Sequence, residues 1–247
     1  MKYDIYNNYN KKFQELTINI QKYFKNSTDS IHKARNEIKV IEFEDKNLII
    51  KAFKIPHIIN KIAYSFFRTS KAKKSYDNSI KIIDFVPRPI SYVEFYKFGL
   101  FQDSYFISEH FNYDFTIREP LLENKFENKE EVFKQFAKFT FDLHENNIFH
   151  LDYSPGNILI KESGNKFIFK IVDINRMEFK TLDINDRLKN FAKLWAKDED
   201  LIIIIKEYSK LTRENEKKCL DIALKYSQEH KDKKNFKKRL KGQEVVD

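Results

Sequence analysis

The sequence is poor in the residues that mark several protein classes. One cysteine among 247 residues, Cys219, rules out an internal disulfide and suits a reducing compartment. Four glycines and five prolines are too few for a linker-rich chain. The longest apolar run, Leu201–Ile205, is far too short to span a bilayer and predicts the centre of a buried helix. The first residues contain no apolar stretch typical of a secretory signal, so we expect a cytoplasmic protein.

Aromatic residues and lysines are abundant. The 24 Phe and 13 Tyr supply ample core material for a chain of this length. The formal net charge of +9 favours anionic partners such as anionic lipid or phosphorylated glycan, although a compositional bias toward Lys, Asn and Ile explains it equally well. No recognition helix, zinc-finger spacing or RNA-binding signature is evident, so no specific nucleic acid is expected as a partner.

The segment HLDYSPGNILI, residues 150–160, carries the clearest chemical pattern. Asp152 precedes Asn157 by five residues, and Asp173 ends the apolar stretch that follows. This spacing is typical of phosphoryl-transfer sites, in which a carboxylate accepts the proton of an acceptor hydroxyl and oxygen ligands hold Mg²⁺. We therefore predict ATP and Mg²⁺ as cofactors, with Asp152 as catalytic base and Asn157 and Asp173 as metal ligands. The alternative is that these residues only cap turns.

A hairpin pattern supports a shared position for these side chains. A strand over Asn157–Lys161, a turn at Ser163–Asn165 and a strand over Lys166–Asp173 would set Asn157 and Asp173 at the same end. His150 is expected to orient the loop, and His144 to have a structural role beneath it.

Local patterns elsewhere predict an α+β chain. Apolar runs and alternation predict strands at Asn36–Glu44, Asn47–Phe53, Arg88–Tyr96 and Ser104–Phe111. Helical spacing predicts helices at Ile58–Arg68, Ser70–Phe85, Glu130–Asn146 and Asn185 to about His230. The apolar set of the first helix is Ile58, Ile59, Ile62, Phe66 and Phe67. Residues 1 to about 35 show no clear period.

This order of elements indicates a single two-lobed domain over residues 1–247. We expect a small β-rich N-lobe at residues 1–111, a helical C-lobe at residues 112–230, and a basic tail at residues 231–247 that is frayed. A small ligand is expected in a cleft between the lobes.

The nucleotide requires a lysine for its α/β-phosphates and an acid on a nearby helix to hold that lysine. Lys51 lies inside an apolar strand, where a buried charge needs a partner, and is favoured over Lys54 at the strand end. Asp77 is the expected acid. Backbone groups around Glu109 and Phe111 are expected to contact an adenine edge. The segment at residues 27–35 stands where a glycine-rich loop would cover the phosphates, yet it contains no glycine.

Taken together, these motifs resemble the protein-kinase-like fold, and more narrowly the lipopolysaccharide core kinases that phosphorylate Kdo or heptose, in particular Kdo kinase-like proteins of the Bacteroidetes. The resemblance covers roughly residues 35 to 195, through RNEIK, the block from Ile49 to Asp77, VPRPISYVE, SYFISEHF, HLDYSPGNILI and IVDINRMEF. It implies transfer of the ATP γ-phosphate to a sugar hydroxyl of an inner-core glycolipid at the inner face of the inner membrane. Leu151 replaces the usual Arg, Ile174-Asn175 replaces Phe-Gly, and no Ala-Pro-Glu element follows. These departures favour a small or glycolipid acceptor over a protein.

The acceptor side is marked only by basic residues. Arg68, Lys71, Lys73 and Lys74 follow the amphipathic helix and could bind an acidic sugar or lipid phosphate, or could form a solvated face. Arg176 could hold an acceptor carboxylate or form an ion pair within its loop. The basic tail could contact anionic lipid.

Two other functions stay open at this point. One is a kinase of a soluble small molecule, in the manner of aminoglycoside phosphotransferases, for which an acidic acceptor groove is expected. The other is a non-catalytic nucleotide-binding module.

Overall fold

A computed structural model describes residues 1–7, 9, 11–28, 30–33, 36–54 and 57–243. Arg35, at the start of RNEIK, lies outside these residues. So does Pro56, which follows the strand predicted at Asn47–Phe53 and, as a proline, is expected to end it. By its internal contacts the chain divides into one unit of Met1–Asn112 with Asp173–Asn175, and a second of Tyr113–Val172 with Arg176–Asp247.

The first unit is built on an antiparallel sheet with the strand order β1-β5-β6-β4-β3-β2. Its elements, in chain order, are β1 (Lys2–Ile5), α1 (Lys11–Ile18), α2 (Ile20–Asn26), β2 (Ser30–Lys33), β3 (Asn36–Phe43), β4 (Lys46–Phe53), α3 (Ile58–Phe66), α4 (Lys71–Lys81), a 3₁₀ turn (Ile83–Phe85), β5 (Pro89–Lys97) and β6 (Leu100–Glu109). The strands and helices predicted from residue 36 to residue 111 are confirmed within a few residues. The largest differences are of four residues: β6 begins at Leu100 rather than Ser104, and α4 ends at Lys81 and is followed by the 3₁₀ turn that reaches Phe85.

The hairpin of β3 and β4 shows how local chemistry sets register. Glu44 and Asp45 have φ of 50° and 58°, so the two central turn residues are left-handed. A turn with two positive φ values matches the twist of the flanking strands, and Asp tolerates that conformation better than most residues. Phe43 therefore pairs with Lys46, and Lys51 is placed opposite Ile38.

The interpretation of residues 1 to about 35 as lacking a period was wrong. Phe13, Leu16, Ile20 and Phe24 are buried on α1 and α2, at helical spacing. They pack in one apolar cluster with residues of the central strands, including Leu48, Ile50, Ile90, Val93 and Ile107. The signal was missed because the helices are short and break at Asn19, which carries no side-chain cap.

The second unit is mainly helical. Its elements are β7 (Phe115–Thr116), α5 (Arg118–Leu122), α6 (Lys129–Glu145), β8 (Ile148–His150), a 3₁₀ turn (Pro155–Asn157), β9 (Ile158–Ser163), β10 (Lys166–Ile171), β11 (Met177–Phe179), α7 (Ile184–Phe191), a 3₁₀ turn (Ala192–Leu194), α8 (Asp198–Thr212) and α9 (Glu216–Arg239). The predicted hairpin is confirmed, with Lys166 paired to Ser163 and Ile171 to Ile158.

The core of this unit lies beneath α6. Val132, Phe133, Phe136 and Leu143 are buried on α6 at helical spacing. Leu201, Ile204 and Ile205 are buried on α8, which confirms that the longest apolar run forms the centre of a buried helix.

The prediction of a frayed tail after Lys231 was wrong, because α9 continues to Arg239. Two features keep this lysine-rich stretch helical. Ser227 and Asn235 are buried on one side of α9. Lys237, Lys238 and Arg239 stand in its last turn, where cations interact favourably with the helix dipole. Over the described residues, no helix combines the length and apolar character needed to cross a membrane.

Candidate active site

The buried imidazole of His150 organises the loop that carries Asp152. Its Nδ1 accepts from the backbone N–H of Asp152 at 3.0 Å, and its Nε2–H donates to the carbonyl of Val172 at 3.0 Å. The tautomer follows from these partners, since a carbonyl can only accept. His150 thus connects the loop after β8 with the residue that precedes Asp173, and it has the positioning role expected from the sequence.

A second buried layer supports this histidine. Asn190 on α7 donates from Nδ2 to the carbonyl of His150 at 3.0 Å, and its Oδ1 accepts from Nε2–H of His144 at 3.2 Å. The Tyr208 hydroxyl donates to Nδ1 of His144 at 2.7 Å. His144 is therefore structural, as expected. Asn190 and Tyr208 were missed because a polar residue that supports a loop from a distant helix leaves no local sequence signal.

Asp152 and Asn157 are brought together within the second unit. The Asn157 side chain donates from Nδ2 to the backbone carbonyl of Asp152 at 2.9 Å, and its own carbonyl accepts from Val172 N–H at 2.9 Å. Since Nδ2 of Asn157 is used in this way, its Oδ1 is the end of the amide suited to a metal. Arg176 forms an ion pair with Oδ2 of Asp152. Two roles were considered for Arg176, binding of an acceptor carboxylate and an ion pair within its loop. The structure shows the ion pair.

Lys51 and Asp173 are brought together within the first unit. Lys51 Nζ lies 2.8 Å from Oδ1 of Asp173, and Asn175 Nδ2 donates to the same oxygen at 2.5 Å. The Asp173 backbone has φ of 57°, an uncommon conformation for a residue other than glycine. Asn78 on α4 holds the next residue by donating to the carbonyl of Ile174 at 2.7 Å. Such constrained backbone is frequent at functional sites.

The expected pairing of Lys51 with Asp77 was wrong. Asp77 instead forms an ion pair with Lys73, four residues earlier on α4, at 2.9 Å. On a helix, residues four apart are neighbours, so Lys73 reaches Asp77 without any tertiary contact. Asp77 as a nucleotide-site residue stays a prediction from the sequence.

The residues expected near adenine lie at the end of β6. The Glu109 N–H already donates to the carbonyl of Arg88 at 2.9 Å, so a contact from the Glu109 backbone would have to use its carbonyl. Its carboxylate accepts from the Tyr9 hydroxyl at 3.0 Å and pairs with Lys46. Phe111 follows the strand and is half-buried.

The segment that replaces a glycine-rich loop lies partly outside the described residues. The Ser27 hydroxyl donates to the carbonyl of Val40 at 3.1 Å. The proposed acceptor cations Arg68, Lys71 and Lys74 lie at the end of α3 and the start of α4. Arg68 and Lys74 are exposed, and Lys71 is half-buried.

Comparison with known proteins identifies the fold. No family model matches the chain, and no curated protein matches it significantly. A solved structure of WaaP in complex with acyl carrier protein has a TM-score of 0.59 with this chain, at 11% identity. The match covers 94% of this chain and 99% of the other. The fold is protein-kinase-like. The predicted fold class, with a β-sheet N-lobe and a helical C-lobe, is confirmed.

The Lys51–Asp173 pair generates a prediction about nucleotide binding. If Lys51 is the lysine that holds the nucleotide phosphates, we expect Lys51→Met to lower the affinity for ATP with Mg²⁺ at least about tenfold, because a charged hydrogen bond to phosphate would be lost. The measurement is the ATP-dependent shift of the melting temperature. Lys54→Met removes an exposed lysine three residues later and is the matched control. Equal ATP shifts for the two variants would contradict the assignment.

His144 generates a prediction about stability against pH. Burial lowers the pKa of His144 from 6.5 to about 4. As the pH falls, the unfolded chain therefore binds the proton first, and stability is lost between about pH 6.5 and 4, by up to about 3 kcal/mol.

Urea denaturation at pH 7 and pH 4.5 measures this loss. His144→Leu should be less stable at pH 7 and should show a smaller decrease on acidification than the wild type. Burial also lowers the pKa of His230 to about 4, so the wild type keeps part of the decrease from that residue. Exposed His57→Leu is the control. An unchanged pH dependence in His144→Leu would contradict the prediction.

Proposed function

We propose that this protein is an ATP-dependent phosphotransferase that moves the γ-phosphate to a sugar hydroxyl, with Kdo or another inner-core sugar of lipopolysaccharide as the acceptor. The observation that carries the proposal is the loop after β8, in which the Asn157 side chain binds the backbone of Asp152 and His150 orders both ends. The kinase-like fold that this chain shares with WaaP, together with the motifs that resemble lipopolysaccharide core kinases, supports a sugar acceptor.

The donor set fits Mg²⁺. Asp173 offers a carboxylate and Asn157 an amide oxygen, which are the hard ligands that this ion takes together with phosphate oxygens and water. Lys51, bound to Asp173 at 2.8 Å, is the cation assigned to the α/β-phosphates. When bound, Mg²⁺ would neutralise charge on the phosphate oxygens.

Asp152 is assigned as the base. Arg176 donates to Oδ2 of Asp152, so Oδ1 is the oxygen that we assign to the acceptor hydroxyl. The hydroxyl proton passes to Oδ1 as the acceptor oxygen bonds to the γ-phosphorus, and the bond from that phosphorus to the bridging oxygen of ADP breaks. Arg176 then holds the carboxylate in one orientation.

The mechanism predicts different defects for the two carboxylates. Asp152→Ala should lower the transfer rate about 10²–10⁴-fold while the affinity for ATP and Mg²⁺ is kept, because only proton transfer is lost. Asp173→Ala should lose the Mg²⁺-dependent part of nucleotide binding as well. The measurements are transfer of radiolabelled phosphate from ATP to Kdo-containing lipid A precursors, and ATP-dependent thermal shifts with and without Mg²⁺.

The control is Asp221→Ala, which removes an exposed carboxylate of α9 and should behave as the wild type. Wild-type transfer by Asp152→Ala would exclude the assigned base. ATP binding by the wild type without transfer to any acceptor would instead favour the non-catalytic module.

We also propose peripheral contact with anionic lipid through α3. The inner side of this helix is polar and aromatic. Lys61 donates to Gln102 at 2.7 Å, Ser65 accepts from Phe101 N–H at 2.8 Å, and the Tyr64 ring lies 5.4 Å from that of Phe101. The apolar set predicted for the helix therefore faces solvent. Ile59 is 79% exposed and Phe67 83% exposed, and the other members are Ile58, Ile62 and Phe66.

The charge around this face favours a lipid surface. From Lys54 to Tyr76 the chain has six basic residues and no acidic residue, and Arg68 and Lys74 are exposed just after the apolar set. Exposed apolar side chains bordered by cations are typical of segments that lie in the interface of an anionic bilayer. Arg68, Lys71 and Lys74 would then bind lipid phosphates.

Vesicle flotation tests this surface. The wild type should bind vesicles of phosphatidylethanolamine and phosphatidylglycerol better than vesicles of phosphatidylcholine. The double variant Ile59→Ser/Phe67→Ser should bind at least about tenfold more weakly, since two large apolar side chains are lost. Leu122→Ser, at a 71% exposed position of the second unit, is the control. Equal flotation of both variants, or binding to purified acyl carrier protein instead of vesicles, would contradict the proposal.

A further inference from the structure

A cavity of about 340 Å³ lies beside Asp152, within the second unit. One part of its wall comes from the catalytic loop and another from Lys193 and Trp195, at and just after the 3₁₀ turn that follows α7. The remaining part comes from α9, through His230, Lys234 and Lys238. The cavity therefore joins the assigned base to a group of cations.

The α9 residues are placed by simple helical spacing. His230, Lys234 and Lys238 are four residues apart, so they share one face of the helix. This face was not recognised in the sequence, because the stretch was interpreted as a frayed basic tail. Because α9 continues to Arg239, these three side chains are aligned along the helix.

Among the described residues, the lysines of the cavity form no ion pair. Within the part of the chain that the structure describes, no carboxylate forms an ion pair with Lys193, Lys234 or Lys238. Asp152, the acid among the described residues that line the cavity, is itself bound by Arg176. Three lysines beside one carboxylate that already has a partner give the cavity an excess of positive charge, which favours an anionic ligand.

The protonation states agree with this charge balance. Burial, followed by the charge of Lys234, lowers the pKa of Lys193, while Asp152 acts in the opposite direction. Burial and the neighbouring lysines, Lys193 first, lower the pKa of His230 to about 4, so this imidazole is neutral at pH 7. The positive charge of the wall is then carried by lysines.

Trp195 adds a flat apolar wall. Its backbone has φ of 56°, which is unfavourable for a bulky residue. Its ring lies 6.1 Å from that of His230, and Lys238 Nζ lies 5.5 Å from its centroid. An indole face beside ammonium groups suits a ligand that has both ring carbons and negative charge.

We propose that this cavity is the acceptor subsite and that Lys193, Lys234 and Lys238 bind an anionic group, a carboxylate or a phosphate, of the sugar whose hydroxyl meets Asp152. The inference rests on the proposed phosphotransferase function and names the chemical class of its acceptor. It places acceptor recognition on α9 rather than at Arg68, Lys71 and Lys74. A cationic acceptor of the aminoglycoside kind is disfavoured, because it would meet three ammonium groups.

The test compares two charge-matched double variants. Lys234→Ala/Lys238→Ala removes two cations of the cavity, and Lys217→Ala/Lys237→Ala removes two exposed lysines of α9 that do not line it. Calorimetric titration measures binding of Kdo, mannose 6-phosphate, mannose and kanamycin to each protein. Transfer assays give the KM for acceptor and for ATP, and thermal shifts verify nucleotide binding.

The wild type should bind one or both anionic sugars more tightly than mannose or kanamycin, and the preferred one decides between carboxylate and phosphate. The cavity variant should bind the preferred sugar at least about tenfold more weakly and should have a correspondingly higher KM for acceptor, with the KM for ATP unchanged. The control variant should match the wild type.

Equal affinity of both variants, or preferred binding of mannose or kanamycin, would overturn the inference even if transfer occurs. Anion binding by a wild type that transfers phosphate to no sugar would instead overturn the proposed function, and with it the acceptor role of the cavity.

Discussion

The geometry of the candidate site depends on the two hydrogen bonds of the His150 imidazole. One ring nitrogen holds the backbone of Asp152 and the other holds Val172, the residue before Asp173. A buried imidazole has only these two polar atoms, so satisfying both leaves it a single tautomer and a single orientation. The Asn190 and His144 layer extends the same constraint to α6 and α7.

Some charged residues of the site form ion pairs within the described part of the protein, and others do not. Lys51 and Asp173 neutralise each other, as do Arg176 and Asp152, so the groups assigned to chemistry have partners in the protein itself. The lysines beside Asp152 have no such partners among the described residues, and their charge at one cavity favours a ligand that supplies negative charge. This contrast, rather than the overall charge of +9, is what points to an anionic acceptor.

Helix α3 packs on the protein through its polar and aromatic side and exposes its apolar side. An amphipathic helix in a globular domain normally packs its apolar side on the core, yet α3 uses Lys61, Tyr64 and Ser65 to contact β6 and exposes its isoleucines and phenylalanines. Specific hydrogen bonds therefore decide the orientation of the helix against its hydrophobic preference. The acyl region of a membrane would bury these exposed side chains, and this is the reason for the proposed contact of this face with lipid.

The sequence by itself determined what depends on local chemistry. The β3–β4 hairpin follows from two strand patterns a few residues apart, the β9–β10 hairpin follows from its strand pattern and turn, and the spacing of Asp152 and Asn157 permits the bond between them. The longer strands and helices from residue 36 onward could be predicted for the same reason, since their apolar periods are long enough to be distinguished from chance, whereas the short β7, α5, β8 and β11 were not predicted.

Only the tertiary structure decided which distant groups meet. Lys51 binds Asp173, which is 122 residues away in the sequence, whereas Asp77 pairs with Lys73 on its own helix. The amphipathic pattern of α3 was visible, but its direction was not, because periodicity records which residues share a face and not what that face contacts. The basic stretch after Lys231 is helical because its buried side packs, and local propensity alone could not reveal that packing.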